Sequence, residues 1–151
     1  MRRKDREMDR AYAEQVIDRA AFAALATVND DGTPYCMPLS PVRDGEYVYF
    51  HCAREGKKIT NMRARPKVCL TFVGAVSAPE GKFTLHYESA VVSGVAEEIP
   101  DKDEKIRALK RICARYTPGN MAAFDEAIER SLAVTGVWKV RIDEISGKKN
   151  G

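Results

Sequence analysis

The hydrophobic pattern in the first third of the chain changes from a helical to a strand-like period. Apolar residues spaced as on one helix face predict a helix over 8–21, with Asp9 as its N-cap. Alternating and β-branched residues then predict strands over 22–28, 35–42 and 47–51. Turn residues separate these strands at 29–32 and 43–45. The pattern predicts three strands joined as an antiparallel meander, in which Pro38 and Pro41 make the middle strand irregular or an edge.

The rest of the chain continues in short strands with helical segments between them. Strands are predicted over 67–76, 83–97 and 136–145. The segment 83–97 is long enough for one bent strand or two, and Gly94 marks a bulge or a kink within it. Helical segments are predicted from Pro100-Asp101 onwards and over 121–133. Six short antiparallel strands with mostly peripheral helices predict a mainly β (α+β) protein built as a small barrel.

The segment 47–66 joins a strand to a helix at a basic loop. The chain breaks at Gly56, resumes with helical spacing over 57–64 and stops at Pro66. Free backbone N–H groups at a helix start attract anions, and Lys57 and Lys58 add two positive charges there. The pattern predicts a seat for the phosphate of a phosphorylated cofactor.

Composition restricts the possible functions. A length of 151 residues suits one domain, 1–151, with a frayed or partner-bound arm at 1–8 and a flexible polar tail at 147–151. A net charge of only +3 gives a nucleic-acid role little support. No apolar run is long enough for a membrane span, and the charged N-terminus is unlike a signal peptide, so we expect a cytoplasmic protein. Four scattered cysteines and two histidines show no zinc-site spacing, so we predict no metal.

Several longer motifs occur in a characteristic order along the chain: ALATVNDDGTPYCMPLSPV, YFHCAREGKK, NMRARP, HYESAVVSGVAEEI and VWKVRIDEISGKK. In this order they resemble the pyridoxamine 5′-phosphate oxidase-like, FMN-binding split-barrel superfamily. Within it, the chain is most similar to the nitroimidazole-resistance flavoproteins. The resemblance runs from Met1 to Lys149, and YFHCAREGKK with NMRARP are its most specific parts.

The resemblance implies a six-stranded antiparallel split β-barrel of Greek-key type. It also implies a homodimer that binds two FMN molecules at its interface. The family's basic phosphate-binding pair falls on Lys57 and Lys58, and the strand before them, with His51 and Cys52, lines the ribityl and phosphate side. Further positions carried over from the family face the flavin ring, reach the cofactor or lie where the partner subunit closes over it: Met37, Pro38, Leu39 and Ser40 for the ring, Ser89 for the cofactor, and Trp138 and Arg141 for the closure.

Some of these residues also have an ordinary structural interpretation. His51 could cap a strand end, Cys52 could be a packed small residue, and Trp138 could belong to the core or to a dimer interface. No catalytic acid or base is identified, since in flavoenzymes the ring itself carries hydride and electrons. The function we expect is FMN-dependent reduction of a small aromatic substrate, such as a nitroaromatic.

Two other functions remain open at this stage. Pyridoxamine-phosphate oxidase activity is disfavoured, because those enzymes use an Arg-x-His-type C-terminal segment and residues 137–149 contain no histidine. A non-enzymatic module that binds flavin or haem is the second alternative, and His51 or His86 would then be the iron ligand.

Overall fold

Residues 2–151, which the computed structural model describes, form eight strands in one antiparallel sheet. The strands are β1 (Glu7–Met8), β2 (Ala23–Val28), β3 (Pro34–Leu39), β4 (Val42–Asp44), β5 (Tyr47–Ala53), β6 (Lys67–Ser77), β7 (His86–Glu98) and β8 (Thr135–Asn150). They pair in the order β3-β2-β6-β7-β8-β5-β4, and β1 pairs with β8. The sheet curls without closing, because its two end strands, β3 and β4, do not pair with each other. The predicted split barrel is confirmed: six strands are long, and β1 and β4 are short additions.

Four α-helices pack on this sheet within the described residues: α1 (Arg10–Arg19), α2 (Lys57–Ala64), α3 (Lys102–Tyr116) and α4 (Phe124–Ser131). Asp9 caps α1 as predicted, and its Oδ1 accepts a hydrogen bond from the Tyr12 N–H at 2.8 Å. The second helix has the predicted bounds. The helix predicted over 121–133 instead consists of α4 between two 3₁₀ segments, Pro118–Ala123 and Leu132–Val134. None of the helices in 2–151 is long and apolar enough to cross a membrane.

The predicted meander is wrong. β2 pairs with β3 and β4 pairs with β5, but these two hairpins lie at opposite ends of the sheet. Prolines at 34 and 38 remove N–H groups that a further strand would need, so β3 is an edge strand as predicted. The chain then crosses at Pro41, where the Tyr116 hydroxyl donates to the Pro41 carbonyl at 2.7 Å. The strand predicted over 35–42 is therefore two strands on two different edges.

Both chain ends contribute strands to the sheet. Glu7 and Met8 pair with Lys148 and Gly147, and a 3₁₀ turn covers Lys4–Arg6. β8 continues to Asn150, which pairs with Tyr87 of β7. The arm predicted at 1–8 and the flexible tail predicted at 147–151 therefore contribute strands, because β7 offers a long partner for the polar C-terminal residues. Met1 lies outside the described residues.

Two apolar clusters lie on opposite faces of β5 and β8. The cluster inside the barrel, beneath α1, includes Ile17, Leu25, Phe50, Phe72 and Trp138. The second cluster lies between the sheet and helices α3 and α4, and it includes Ile99, Leu109, Phe124 and Val137. Trp138 and Val137 are neighbours on β8, so their assignment to different clusters follows from the alternation of side chains along a strand. The barrel core thus supports one face of β5 while α3 and α4 support the other.

The bulge or kink predicted at Gly94 is confirmed as a β-bulge: Ser93 pairs with Glu144 and Gly94 pairs with Ile142, so that Asp143 of β8 is the extra residue. A Cβ atom at this position would lie 1.7 Å from the Arg141 carbonyl oxygen. Only glycine permits this approach of the two backbones, which bends the sheet toward a barrel.

A carboxylate inside the wall of the barrel connects β7 to α1. Glu88, whose side chain is 12% exposed, accepts hydrogen bonds from the Tyr12 hydroxyl at 2.7 Å, from Arg19 Nε at 2.8 Å and from the Ala75 N–H at 3.0 Å. Chiefly the hydrogen bonds from Arg19 lower the pKa of Glu88 to about 2. The network attaches α1 to the sheet.

Acid should weaken this attachment. Because the pKa of Glu88 is lower in the folded protein than the ordinary value of 4.5, its contribution to stability is present above pH 4.5 and is lost as the pH falls toward 2. We expect Glu88→Gln to lower the free energy of unfolding by about 2–3 kcal/mol at pH 7 and by much less near pH 2. Urea unfolding at several pH values measures this, with exposed Glu129→Gln as control. Parallel pH profiles for wild type and Glu88→Gln would contradict the assignment.

Candidate functional site

The junction between β5 and α2 supplies the centre of the candidate site. Gly56 has a φ of 131°, a conformation that favours glycine, and its carbonyl accepts from the Ile59 N–H at 3.0 Å and the Thr60 N–H at 3.1 Å. The helix therefore begins immediately after Gly56. The N–H groups of its first residues have no acceptor within the helix and remain free to bind an anion.

The two lysines of the helix start lie on different sides of it. The Lys57 ammonium is 4.6 Å from the centre of the Tyr35 ring on β3 and contributes to lowering the pKa of Asp31. The Lys58 ammonium lies on the β5 side, close enough to affect the pKa values of His51 and Cys52. Neither lysine forms an ion pair with any residue in 2–151. The helix start is thus flanked by two cations, neither of which is held in an ion pair by the described residues.

His51 and Cys52 are uncharged neighbours of Lys58. Loss of surrounding water, and then the charge of Lys58, lower the pKa of His51, so its imidazole is neutral at pH 7. Burial raises the pKa of the half-buried Cys52 thiol, which packs against the barrel core. A neutral imidazole can both donate and accept hydrogen bonds, as a polyhydroxylated chain would require. The positive charge of this side of the site therefore comes from Lys58.

The strand predicted to face the flavin ring is β3, one of the two edge strands of the sheet. Along β3, Met37 and Leu39 pack against the core, while Pro38 and the following Ser40 are exposed. Because β3 has a neighbour on one side only, backbone groups along its other side are available to a ligand. The structure thus places 37–40 at a surface edge.

Three further predicted residues are not brought to the helix start within one chain. Trp138 is 2% exposed in the barrel core, and its Nε1 has no hydrogen-bond partner in the described residues. Arg141 is exposed, pairs with Asp143 at 2.8 Å and lies opposite Tyr47, at the end of β5 away from α2. Ser89 is on β7, three strands from β3 in the order of the sheet. Any contact of Arg141 with a ligand at α2 would require a second subunit.

A buried polar network beside the helix start was missed in the sequence. Asn61, which is 5% exposed, donates from Nδ2 to Thr27 Oγ1 at 3.0 Å and to Asn29 Oδ1 at 2.9 Å. At the end of α2, Arg65 Nη1 donates to Asp30 Oδ1 at 2.9 Å. The signal was an amide on the buried face of α2, between Ile59 and Met62. These bonds fix α2 to the hairpin of β2 and β3.

An open cavity of about 410 Å³ lies between α2 and the turn after β2. Its lining is polar: Asn29, Asp30, Asp31, Lys57, Thr60 and Asn61. Thr33 holds the Asp31 carboxylate through its N–H at 3.0 Å and its hydroxyl at 2.6 Å, and these bonds lower the pKa of Asp31. The cavity therefore places two carboxylates on the side of Lys57, whereas the side of Lys58 has the neutral His51 and Cys52.

The two histidines lie far apart. His51 pairs with Val137 near the start of β8, and the residue after His86 pairs with Asn150 at its end. A single cofactor-sized ligand bound to one chain could not contact both histidines. Residues 2–151 contain no group of three or more His, Cys, Asp or Glu side chains placed to hold a metal ion.

The open antiparallel barrel and its basic β5–α2 junction define a class of proteins, the α+β split barrels. Within that class, the sequence pattern of the pyridoxamine 5′-phosphate oxidase family matches residues 9–149. The chain belongs to this family, as its motifs indicated.

Solved structures from several bacteria share the fold over nearly the whole chain. A candidate 5-nitroimidazole antibiotic resistance protein from Bacteroides thetaiotaomicron is 28% identical, with 95% of this chain and 86% of that chain covered and a TM-score of 0.80. An FAD and haem binding protein from Mycobacterium smegmatis is 23% identical, with coverage of 96% and 73% and a TM-score of 0.79. An FAD-binding protein from Mesorhizobium loti is 22% identical, with coverage of 97% and 98% and a TM-score of 0.70. The last two similarities concern the fold alone. No curated protein matches the chain.

Proposed function

We propose that this protein is a cytoplasmic, homodimeric flavoprotein that binds FMN and reduces a small aromatic substrate, with nitroaromatic compounds as the substrate class. The observation that carries the proposal is the start of α2, where Lys57 and Lys58 form no ion pair with any residue in 2–151 and flank free backbone N–H groups. Membership of the pyridoxamine 5′-phosphate oxidase family and similarity to flavin-binding proteins support it.

The residues of the junction fit a phosphorylated flavin. Lys58 and the first N–H groups of α2 would hold the phosphate, since charge-assisted hydrogen bonds suit a dianion. The neutral His51 beside them would bind the ribityl hydroxyls. The free backbone edge of β3 at Met37–Ser40 would hydrogen-bond the polar rim of the ring system.

The reaction would depend on the cofactor, with the chain providing the binding site. FMN, when bound, supplies hydride and electron transfer, with a reduced nicotinamide or another cellular reductant as electron source. The side chains of this chain bind and orient the ligand. We assign no side chain as acid or base, because His51, the imidazole at the junction, would bind the ribityl chain beside the phosphate.

A second copy of the chain would complete the site. Arg141 and Ser89 do not reach the α2 start within one chain, whereas Trp138 is buried in the core. Several large apolar side chains are exposed around the β6–β7 hairpin: Val73, Val76, Phe83 and Leu85. Such a patch marks an interaction surface on a soluble protein. We propose that a second subunit covers this patch and that the partner's last strand closes over the flavin ring.

The proposal is tested by reconstitution. After incubation with FMN and desalting, we expect flavin absorption bands at about one FMN per chain, and a particle of twice the chain mass by light scattering. Oxidation of a reduced nicotinamide that depends on an added nitroimidazole would then test the reaction. Protein that stays colourless would reject the FMN site. A Soret band on haem addition that is lost in His51→Ala or His86→Ala would favour the haem-binding alternative.

A further inference from the structure

The side-chain amide of Asn61 joins the two halves of the proposed FMN site. Asn61 is in the second turn of α2, the helix whose first turn carries Lys57 and Lys58. Its Nδ2 donates to one residue within β2, Thr27, and to one just after it, Asn29. Both acceptors belong to the hairpin that continues into β3, the strand proposed to address the ring.

Hydrogen bonds from Asn61 connect α2 to the β2–β3 hairpin, and a cation–π contact connects that hairpin back to α2. Thr27 Oγ1 donates to the Tyr35 carbonyl on β3 at 3.3 Å, and Asn29 Nδ2 donates to Thr33 Oγ1 at 3.0 Å. The Tyr35 ring in turn contacts the Lys57 ammonium. The path from helix to hairpin and back to the helix is thus continuous.

Burial holds the Asn61 side chain in one position. Thr27 is 1% exposed and Asn61 is 5% exposed, so water cannot replace either partner without opening the contact between α2 and β2. The Asn61 amide lies between the buried Ile59 and Met62, where an apolar side chain would not have to lose its hydrogen bonds to water. Buried polar groups of this kind specify one arrangement of two elements among several of similar packing.

We propose that Asn61 is a positioning residue that sets the distance between the phosphate-binding start of α2 and the ring-facing strand β3. The inference rests on the proposed FMN site. FMN must contact both elements at once, and its affinity depends on their spacing being correct before it binds. Riboflavin has the same ring and ribityl chain without the phosphate, so its binding does not depend on where α2 holds the lysines.

The experiment compares FMN and riboflavin binding to the wild type and to Asn61→Ala. We expect the variant to lower the affinity for FMN by about 10-fold or more and that for riboflavin by less than about twofold. Thr27→Val, which keeps the side-chain shape and removes the acceptor, should change the FMN affinity in the same direction by less. Asn120→Ala, an exposed asparagine outside this network, is the matched control and should bind both flavins as the wild type does.

A double-mutant cycle with Lys58→Ala distinguishes positioning from a general loss of stability. If Asn61 acts through the lysine, Asn61→Ala should weaken FMN binding far less in the Lys58→Ala background than in the wild type. The inference is overturned if Asn61→Ala leaves the preference for FMN over riboflavin unchanged. It is also overturned if the effects of Asn61→Ala and Lys58→Ala on FMN affinity are additive. A wild type that binds no FMN refutes the proposed function itself, whereas a wild type that binds FMN leaves the variants to decide the role of Asn61.

Discussion

Replacing both Lys57 and Lys58 with alanine should weaken FMN binding by about 3 kcal/mol or more, because a hydrogen bond to a charged group contributes about 1.5–3 kcal/mol. The loss should be specific to the phosphate. Riboflavin affinity should therefore change little, and the difference between FMN and riboflavin should shrink as salt concentration rises in the wild type. Fluorescence titration with both flavins measures this.

The two lysines should not contribute equally. Lys57 contacts the Tyr35 ring and lies beside Asp31, so part of its charge is already engaged. Lys58 faces the uncharged His51 and Cys52, so we expect Lys58→Ala to account for most of the loss. Lys110→Ala, an exposed lysine on α3, is the control. Unchanged FMN affinity in the double variant, or an equal loss of riboflavin affinity, would refute the phosphate site.

Gly94→Ala should destabilise the fold by about 3 kcal/mol or more, within the range of severe single substitutions. The new Cβ would overlap the Arg141 carbonyl oxygen, at 1.7 Å, and would approach a Val140 methyl group at 3.0 Å. The backbone cannot move away from these atoms without breaking the pairing of β7 with β8 on both sides of the bulge.

The free energy of unfolding from urea titration measures the effect at Gly94. Gly119→Ala is the matched control, because a Cβ there meets no atom within 4 Å, and its stability should stay within about 0.5 kcal/mol of the wild type. A Gly94→Ala variant as stable as Gly119→Ala would show that the bulge adapts to a side chain.

Local features of the fold could be predicted from the sequence because their causes are local. The Asp9 cap and the bounds of α2 each depend on residues within a few positions of the feature, and the bulge was found because Gly94 interrupts a strand pattern. The partner with which a strand pairs could not be predicted from nearby residues. Consecutive strands usually pair, and nothing in residues 35–51 specified that the hairpins would separate to opposite edges.

The candidate site likewise has a part that could be predicted from the sequence and a part that could not. Lys57 and Lys58 were found because a glycine, two cations and a helical period follow one another in the chain. The network of Asn61 was missed, because Thr27 and Asn61 are 34 positions apart and only folding brings them into contact. The different directions of the two lysines were also invisible, since the sequence could not place Tyr35 and His51 on opposite sides of the helix start.

The position of β8 in the sheet has a consequence for the order in which the protein can fold. Among the strands of residues 2–151, β5 pairs with β4 and β8 alone, and β8 comprises residues 135–150. During synthesis, β2, β3, β6 and β7 can associate while the last strand is still inside the ribosome, but the β4–β5 hairpin has no sheet to join. The β5 side of the candidate site therefore joins the sheet only once β8 has left the ribosome, so it is the last part of the site to assemble.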